Sequence, residues 1–162
     1  MTALTVTLRN DLQGYLLTGP GSGEALGAAS LPQPEQRLSA MEQAGALVAR
    51  TGTDEFMVFL PEGHPLPVHN WCFRRADRVL AVRGDNWHEL MARVCQFDFR
   101  TFEPGGWLMA SVAGVNCWLY RTKNDDTLLV GVGDGFHRYL ETLFNELACE
   151  LQDSNTHEGG AS

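Results

Sequence analysis

His64, His69 and Cys72 cluster within nine positions of the sequence. Zinc sites want three or four N or S ligands at short spacing, anchored by a C-x-x-C or H-x-x-x-H pair. Here the spacing is H-x4-H-x2-C in a proline-rich stretch with no fourth ligand beside it, which fits surface-loop histidines better than a metal centre. A catalytic thiol needs a nearby base and an electropositive setting. Cys95 follows a predicted helix, Cys117 alternates with Trp118 along a predicted strand, and Cys149 sits beside an apolar helix face, so core thiols are the better reading. Gly19-Pro20-Gly21-Ser22-Gly23, between a predicted strand and a helix-compatible stretch, invites a phosphate cradle. That chemistry needs backbone amides at a helix start with a Lys or Ser/Thr at fixed spacing. There is no G-x-x-x-x-G-K, and Pro20 removes one amide, so a tight turn is the better reading. Ser22 lies in G-S-G rather than in a G-x-S-x-G elbow.

Charge excludes further classes. With 20 acidic against 12 basic residues the net charge is -8, which argues against nucleic acid and acidic membrane surfaces. The one basic cluster, Arg74, Arg75 and Arg78, is interrupted by Asp77. No apolar run approaches the roughly 20 residues of a membrane span, and residues 1–20 show no charged-then-apolar leader pattern. The four cysteines form no C-x-x-C pair and read as reduced thiols, so a cytoplasmic location is the default expectation. At 162 residues the chain is long enough for one domain with a real core.

The elements that must position these residues follow from periodicity. Short strands are predicted at Thr5–Leu8 and Gly14–Thr18, with a turn at Asp11–Gln13. Leu31–Met41, with Pro32 and Pro34, reads as a loop. Gly45–Arg50 and Glu55–Leu60 read as a hairpin about Thr51–Asp54, with Phe56 and Val58 facing the core. Pro61–Asn70 reads as a surface connection, and Val79–Val82 as a strand turning through Gly84–Asn86 into a helix over Trp87–Val94. Strands at Trp107–Val112, Val115–Arg121 and Thr127–Val132 form a meander that opens at the Pro104–Gly106 turn. A helix follows, whose face is Phe136, Tyr139, Leu140, Leu143, Phe144, Leu147 and Leu151. Asp134 is placed to cap that helix or to sit near its positive end. The fold class is α+β: antiparallel hairpin-plus-helix units in a pseudo-repeat, the first half shortened. The domain spans residues 1–152, and the polar tail 153–162 is expected to be disordered.

The run Val94-Cys95-Gln96-Phe97-Asp98-Phe99-Arg100-Thr101-Phe102-Glu103-Pro104-Gly105-Gly106 resembles a segment of the gamma subunit of heterotetrameric sarcosine oxidase. So does the stretch Ser111–Val115 through Trp118-Leu119-Tyr120-Arg121, a small-residue turn between apolar strands that ends in Arg. Gly52–Phe59 and the Gly84-Asp85-Asn86 turn are further points of similarity, with Asp85 where the family has Pro. The resemblance implies the folate-binding fold of aminomethyltransferases. Those relatives carry a helix between the first hairpin and the next strand, for which this chain has too few residues. Its absence implies an uncovered sheet face, and an uncovered apolar face is a docking surface.

Aminomethyltransferase enzymes place an acidic residue just before the strand equivalent to Val79–Val82. On this chain that position falls at Cys72, and Asp77 would sit on the wrong turn, so the resemblance implies the fold without the reaction. It also implies a non-catalytic subunit of a heteromeric flavoenzyme that oxidatively demethylates an N-methyl amine or amino acid. Larger flavin-containing subunits would carry FAD, FMN, NAD, zinc and tetrahydrofolate. No catalytic, cofactor-binding or metal-binding residue is assigned to this chain. Trp71 and Trp107, with Arg74 and Arg75, are the candidates for the interface; Trp118 reads as core. The alternative is a free-standing tetrahydrofolate-binding protein, and a third reading is a small enzyme using Cys72 or Cys95.

Overall fold

The computed structural model describes residues 2–158. Ten strands and three α-helices form two five-stranded antiparallel sheets. The strands are β1 (Thr5–Arg9), β2 (Leu12–Thr18), β3 (Ser39–Gln43), β4 (Ala46–Gly52), β5 (Glu55–Pro61), β6 (Cys72–Arg75), β7 (Asp77–Arg83), β8 (Trp107–Val112), β9 (Val115–Arg121) and β10 (Leu128–Gly133). The helices are α1 (Ser22–Ala28), α2 (Trp87–Val94) and α3 (His137–Glu158). Sheet I has the order β1-β7-β10-β9-β8, and sheet II the order β3-β4-β5-β2-β6.

These orders reveal a repeat. In each unit a strand leads into a helix, then into a three-stranded meander whose last strand returns beside the first: β2-α1-β3-β4-β5, then β7-α2-β8-β9-β10. The strand preceding each unit joins the other sheet. β1 pairs with β7, and β6 pairs with β2. Only Asn10 and Asp11 separate β1 from β2, and only Ala76 separates β6 from β7. The chain therefore changes sheet at two sharp corners. Each corner is spanned by an Arg-x-Asp ion pair, Arg9 with Asp11 and Arg75 with Asp77.

Three apolar layers follow. On the outer face of sheet I, Leu80, Val82, Leu119, Leu128 and Val130 pack against Leu90 and Met91 of α2 and Leu140, Phe144, Ala148 and Leu151 of α3. The segment after α2 belongs to this layer. Phe99 stands edge-to-face to Trp87, Phe97 and Phe102 at centroid distances of 5.9, 5.1 and 5.9 Å. Between the sheets lie Leu47, Met57 and Phe59 against Ala81, Trp118, Tyr120 and Leu129. On the outer face of sheet II, Leu17, Val48, Phe56 and Val58 pack beneath Leu26 of α1 and Leu31.

That third layer corrects one expectation. The first unit indeed has no helix between β5 and β6, where the second has α3 after β10. Its outer face is nonetheless covered, by α1 and by the stretch after it, in which Leu31, Pro32 and Pro34 are buried. Two strands are further differences: β3 begins within the stretch expected to be a loop, and β6 lies where the sequence predicts no element. Phe136 and Tyr139 do not join the buried face of α3: they are 55% and 51% exposed, and the face begins at Leu140. Asp134, expected to cap α3 or to sit near its positive end, takes the second place: it lies in a single 3-10 turn before the helix, and its carboxylate accepts from Arg78 at 2.8 Å. The tail expected from Asp153 is helical through Glu158, and residues 159–162 lie outside the described residues.

Trp118 lies across Gly131 of the neighbouring strand, and a Cβ at residue 131 would fall 1.8 Å from the indole. Gly131→Ala should therefore cost about 3 kcal/mol or more, the upper range for overpacking a core. Urea denaturation measures this; a loss below ~1 kcal/mol would mean that the indole moves aside freely.

Candidate functional site

The inner faces of the sheets do not cover one another completely. An open cleft of about 410 Å³ remains, with Met57, Met109 and Trp118 as its apolar lining and Arg75, Asp77 and Asn116 as its polar groups. Gly131 and Gly133 leave the backbone of β10 bare on its wall. Its volume lies in the range of small-molecule pockets, about 300–1,000 Å³.

The elements explain why these groups meet. β7 starts at Asp77 directly after the second corner, so its first inward position holds a carboxylate instead of an apolar side chain. Arg75, two residues earlier, is the last residue of β6. Its Nε and Nη2 donate to the two Asp77 oxygens at 2.7 and 3.2 Å. The Asp77 side chain is only 8% exposed. The sequence placed Asp77 on the wrong turn; it is instead a strand residue lining the cleft. Its carboxylate is engaged in a two-pronged pair, which leaves it poorly placed to take a proton from a substrate.

Behind the cleft stands an aromatic stack. Trp107 is stacked on Trp118 with ring centroids 5.0 Å apart and planes 13° apart, and Phe59 is tilted against Trp118 at 4.5 Å. Both indole N–H groups are buried with no hydrogen-bond partner among the described residues. An unpaired buried donor costs about 1–3 kcal/mol. Burying an indole of 150–250 Å² returns about 4–6 kcal/mol at 25 cal/mol/Å², so burial wins. Trp107, expected at an interface, is thus a core residue, 7% exposed. The Pro104–Gly106 turn that precedes it delivers the side chain inward, between the sheets.

The other predicted interface residues disperse. Trp71 is 49% exposed, but its ring also covers Gly19: a Cβ there would lie 2.2 Å from it. Gly19 itself adopts φ +90, a conformation open to glycine. His69 accompanies Trp71 and shares a ring nitrogen with the Thr18 carbonyl at 2.9 Å. The glycine turn is therefore roofed by two side chains. Its Gly19 and Ser22 amides are spent on the carbonyls of Asp54 and Gly19. Arg74 is exposed, and Arg75 belongs to the cleft. The arginine cluster resolves into pairs: Arg75 with Asp77 and Arg78 with Asp134. Both sheet-changing corners meet at a smaller cleft of about 280 Å³, which Arg9, Arg74, Arg75 and Arg78 line.

The metal-capable trio separates in function. His64 shares a ring nitrogen with the Pro65 carbonyl, His69 with that of Thr18, and Cys72 is half-buried on β6. Among the described residues no three His, Cys, Asp or Glu side chains are gathered as for a metal. Burial pushes the Cys72 thiol up, and burial with the neighbouring Cys95 pushes Cys117 up to about 12. Both shifts favour the thiol over the nucleophilic thiolate.

No protein-family model and no curated protein matches the sequence. Solved structures do match. One is a chain of heterotetrameric sarcosine oxidase from Corynebacterium sp. U-96, in complex with pyrrole 2-carboxylate, at TM-score 0.75 and 18% identity. That match covers 91% of this chain and 84% of the other. Another is glycine cleavage system aminomethyltransferase T from Bartonella henselae, at TM-score 0.64 and 14% identity, covering 89% of this chain and 46% of the other. The chain thus has an aminomethyltransferase-like α+β fold and spans about half the length of that aminomethyltransferase.

The buried thiol makes a pH prediction. An unfolded Cys117 ionises from about pH 9, and the folded one only toward about 12. Its contribution to stability is complete below pH 9 and is lost as pH rises through that window. The buried Tyr120 phenol, pushed up by burial and by the Glu42 carboxylate, acts in the same direction. Denaturation measured across this range should show stability falling, with a shallower fall in Cys117→Ala. An equal fall in that variant would assign the effect elsewhere.

Proposed function

We propose that this chain is a non-catalytic subunit of a hetero-oligomeric flavoenzyme that oxidatively demethylates an N-methyl amine or amino acid, of the sarcosine oxidase or N-methylglutamate dehydrogenase type. The observation that carries the reading is the near-complete mutual coverage with a chain of a heterotetrameric sarcosine oxidase: two chains of nearly one length share one fold. The aminomethyltransferase, by contrast, holds as much structure again beyond the part this chain matches. The interior supports the same reading. The carboxylate of the cleft is tied to Arg75, and the thiols of Cys72 and Cys117 are held protonated. FAD, FMN, NAD, zinc and tetrahydrofolate would belong to the larger partner subunits. This chain would pack against them in the cytoplasm and complete a surface or close an internal channel.

The cleft favours a second reading: its volume and its mixed lining, apolar Met57, Met109 and Trp118 beside polar Asn116 and Ser111, suit a heterocycle, as in a free-standing tetrahydrofolate-binding protein. One purification separates the two. The tagged chain, drawn from its native cells, should bring down larger flavin-bearing chains in fixed ratio, seen by visible absorbance and peptide mass. A colourless, monodisperse chain would overturn the subunit reading. Titration calorimetry with tetrahydrofolate would then decide the alternative.

A further inference from the structure

The four outer strands of the two sheets are not guarded alike. β1 ends in Arg9, β3 carries Glu42, and β6 carries Arg74 and Arg75. Charges of this kind keep an open edge from pairing with a foreign strand. β8, Trp-Leu-Met-Ala-Ser-Val, has no charge and no proline. Its register with β9 runs unbroken from Trp107↔Tyr120 to Val112↔Val115, so no bulge twists it away.

Its backbone bonds can be accounted for. Ala113 at φ 48 and Gly114 at φ 82 make a two-residue turn, whose closing pair Val112–Val115 exchanges both hydrogen bonds. Alternation then makes Ala110–Cys117 and Leu108–Leu119 bonded pairs. The amides and carbonyls of Trp107, Met109 and Ser111 point off the sheet, and among the described residues no loop or turn backbone pairs with them. Met109 is 53% exposed, and Ser111 is exposed. Donors and acceptors recurring at every second residue match an extended peptide backbone.

Clefts flank this edge on both faces. The cleft of about 410 Å³ lies toward sheet II; a second, of about 560 Å³, lies toward the end of α2 and is lined by Val94, Cys95 and Phe97. Ala110 and Ser111 line both. We infer that β8 takes an extended, uncharged segment of a partner polypeptide as a further strand of sheet I, with alternate side chains entering the two clefts. Charge matching selects a neutral segment, because the charged groups lining both clefts are already paired: Arg75 with Asp77, and Arg93 with Glu150. A second copy of β8 is a poor occupant. Its Trp107 and Val112 are buried in its own core, and Leu108 and Ala110 pack against that core, so few side chains are left to fill the clefts.

This inference rests on the subunit reading and names the surface that reading requires. Met109→Pro removes an outward amide without touching the β8–β9 bonds, and Ser111→Lys adds a charge at an exposed position. Val68→Lys, on the exposed loop before β6, is the control. In purifications of the tagged chain from native cells, both β8 variants should recover about tenfold less flavin-bearing partner, and the control should recover it in full. Hydrogen exchange should show the Met109 and Ser111 amides protected in the wild-type complex and open in the free chain. Full recovery with both β8 variants, or unprotected amides in the complex, overturns the inference and leaves the subunit reading standing. Absence of any flavin-bearing chain from the wild-type purification overturns both. A dimer of the isolated chain that Ser111→Lys dissolves replaces the partner strand with a second copy.

Discussion

The exchange of one edge strand between the two repeats is the constraint on which the rest of the structure depends. If β1 stayed beside β2 and β6 beside β7, each unit would form its own sheet with its own loose edge. Instead β1 closes the sheet of the second unit, and β6 that of the first. Neither unit can then complete its sheet alone. Connections of two residues and of one residue hold the corners so tightly that the sheets must stack face to face. An Arg-x-Asp pair recurs at both corners: in each, the Arg ends a strand, and the Asp two residues on lies in the connection (Asp11) or opens the next strand (Asp77). The pairing costs no long-range ordering, since the partners are two residues apart.

Stacking in turn fixes the interior. Two sheets pack about 10 Å apart, and the stacked Trp107 and Trp118 with Phe59 fill that gap where the strands diverge. Gly131 makes room for the arrangement by having no side chain under the Trp118 indole. The stack tolerates unpaired indole N–H groups because the apolar area buried outweighs them. Trp118 of this stack also lines the cleft that holds the Arg75–Asp77 pair.

The second repeat was the more legible half. α2, β8 and β9 match their predicted bounds, because Gly84, the Pro-Gly-Gly turn and Ala113-Gly114 punctuate strongly periodic runs. β3 and β6 escaped detection for an opposite reason. Ser-Ala-Met-Glu-Gln and Cys-Phe-Arg-Arg are short edge strands whose charged residues interrupt the apolar alternation that identifies a strand. A tryptophan after Gly-Gly carries no sign of its direction in the sequence; only the meeting of the two sheets makes Trp107 core. Asp77 was misread because its strand begins with a charged residue, and the strand exchange that places it in the cleft is invisible to periodicity. The 3.6-residue pattern of α3 extended correctly through Leu151, yet began one turn early. Phe136 and Tyr139 fit the spacing and precede the point where the helix meets the sheet.

Exposed apolar side chains do not by themselves locate the working surface of this chain. Val68 is 94% exposed and Leu66 48%, but both sit in a loop whose backbone has no ladder to offer, and isolated apolar residues are ordinary on protein surfaces. Trp71 nearby is already committed to the glycine turn at Gly19. The accounting of backbone hydrogen bonds is the sharper criterion. A strand edge with unpaired amides must be satisfied by water, by a guard or by another strand. Three of the four edges carry charged guards, although the chain as a whole has acidic residues to spare. The repeat makes the contrast sharper. β3 and β8 hold equivalent places, first in each meander and outermost in each sheet, yet β3 carries Glu42, which accepts from the Lys123 amide of the second unit, while β8 carries no charge at all. Two edges in equivalent places thus differ in the property that decides whether an edge meets water or another chain.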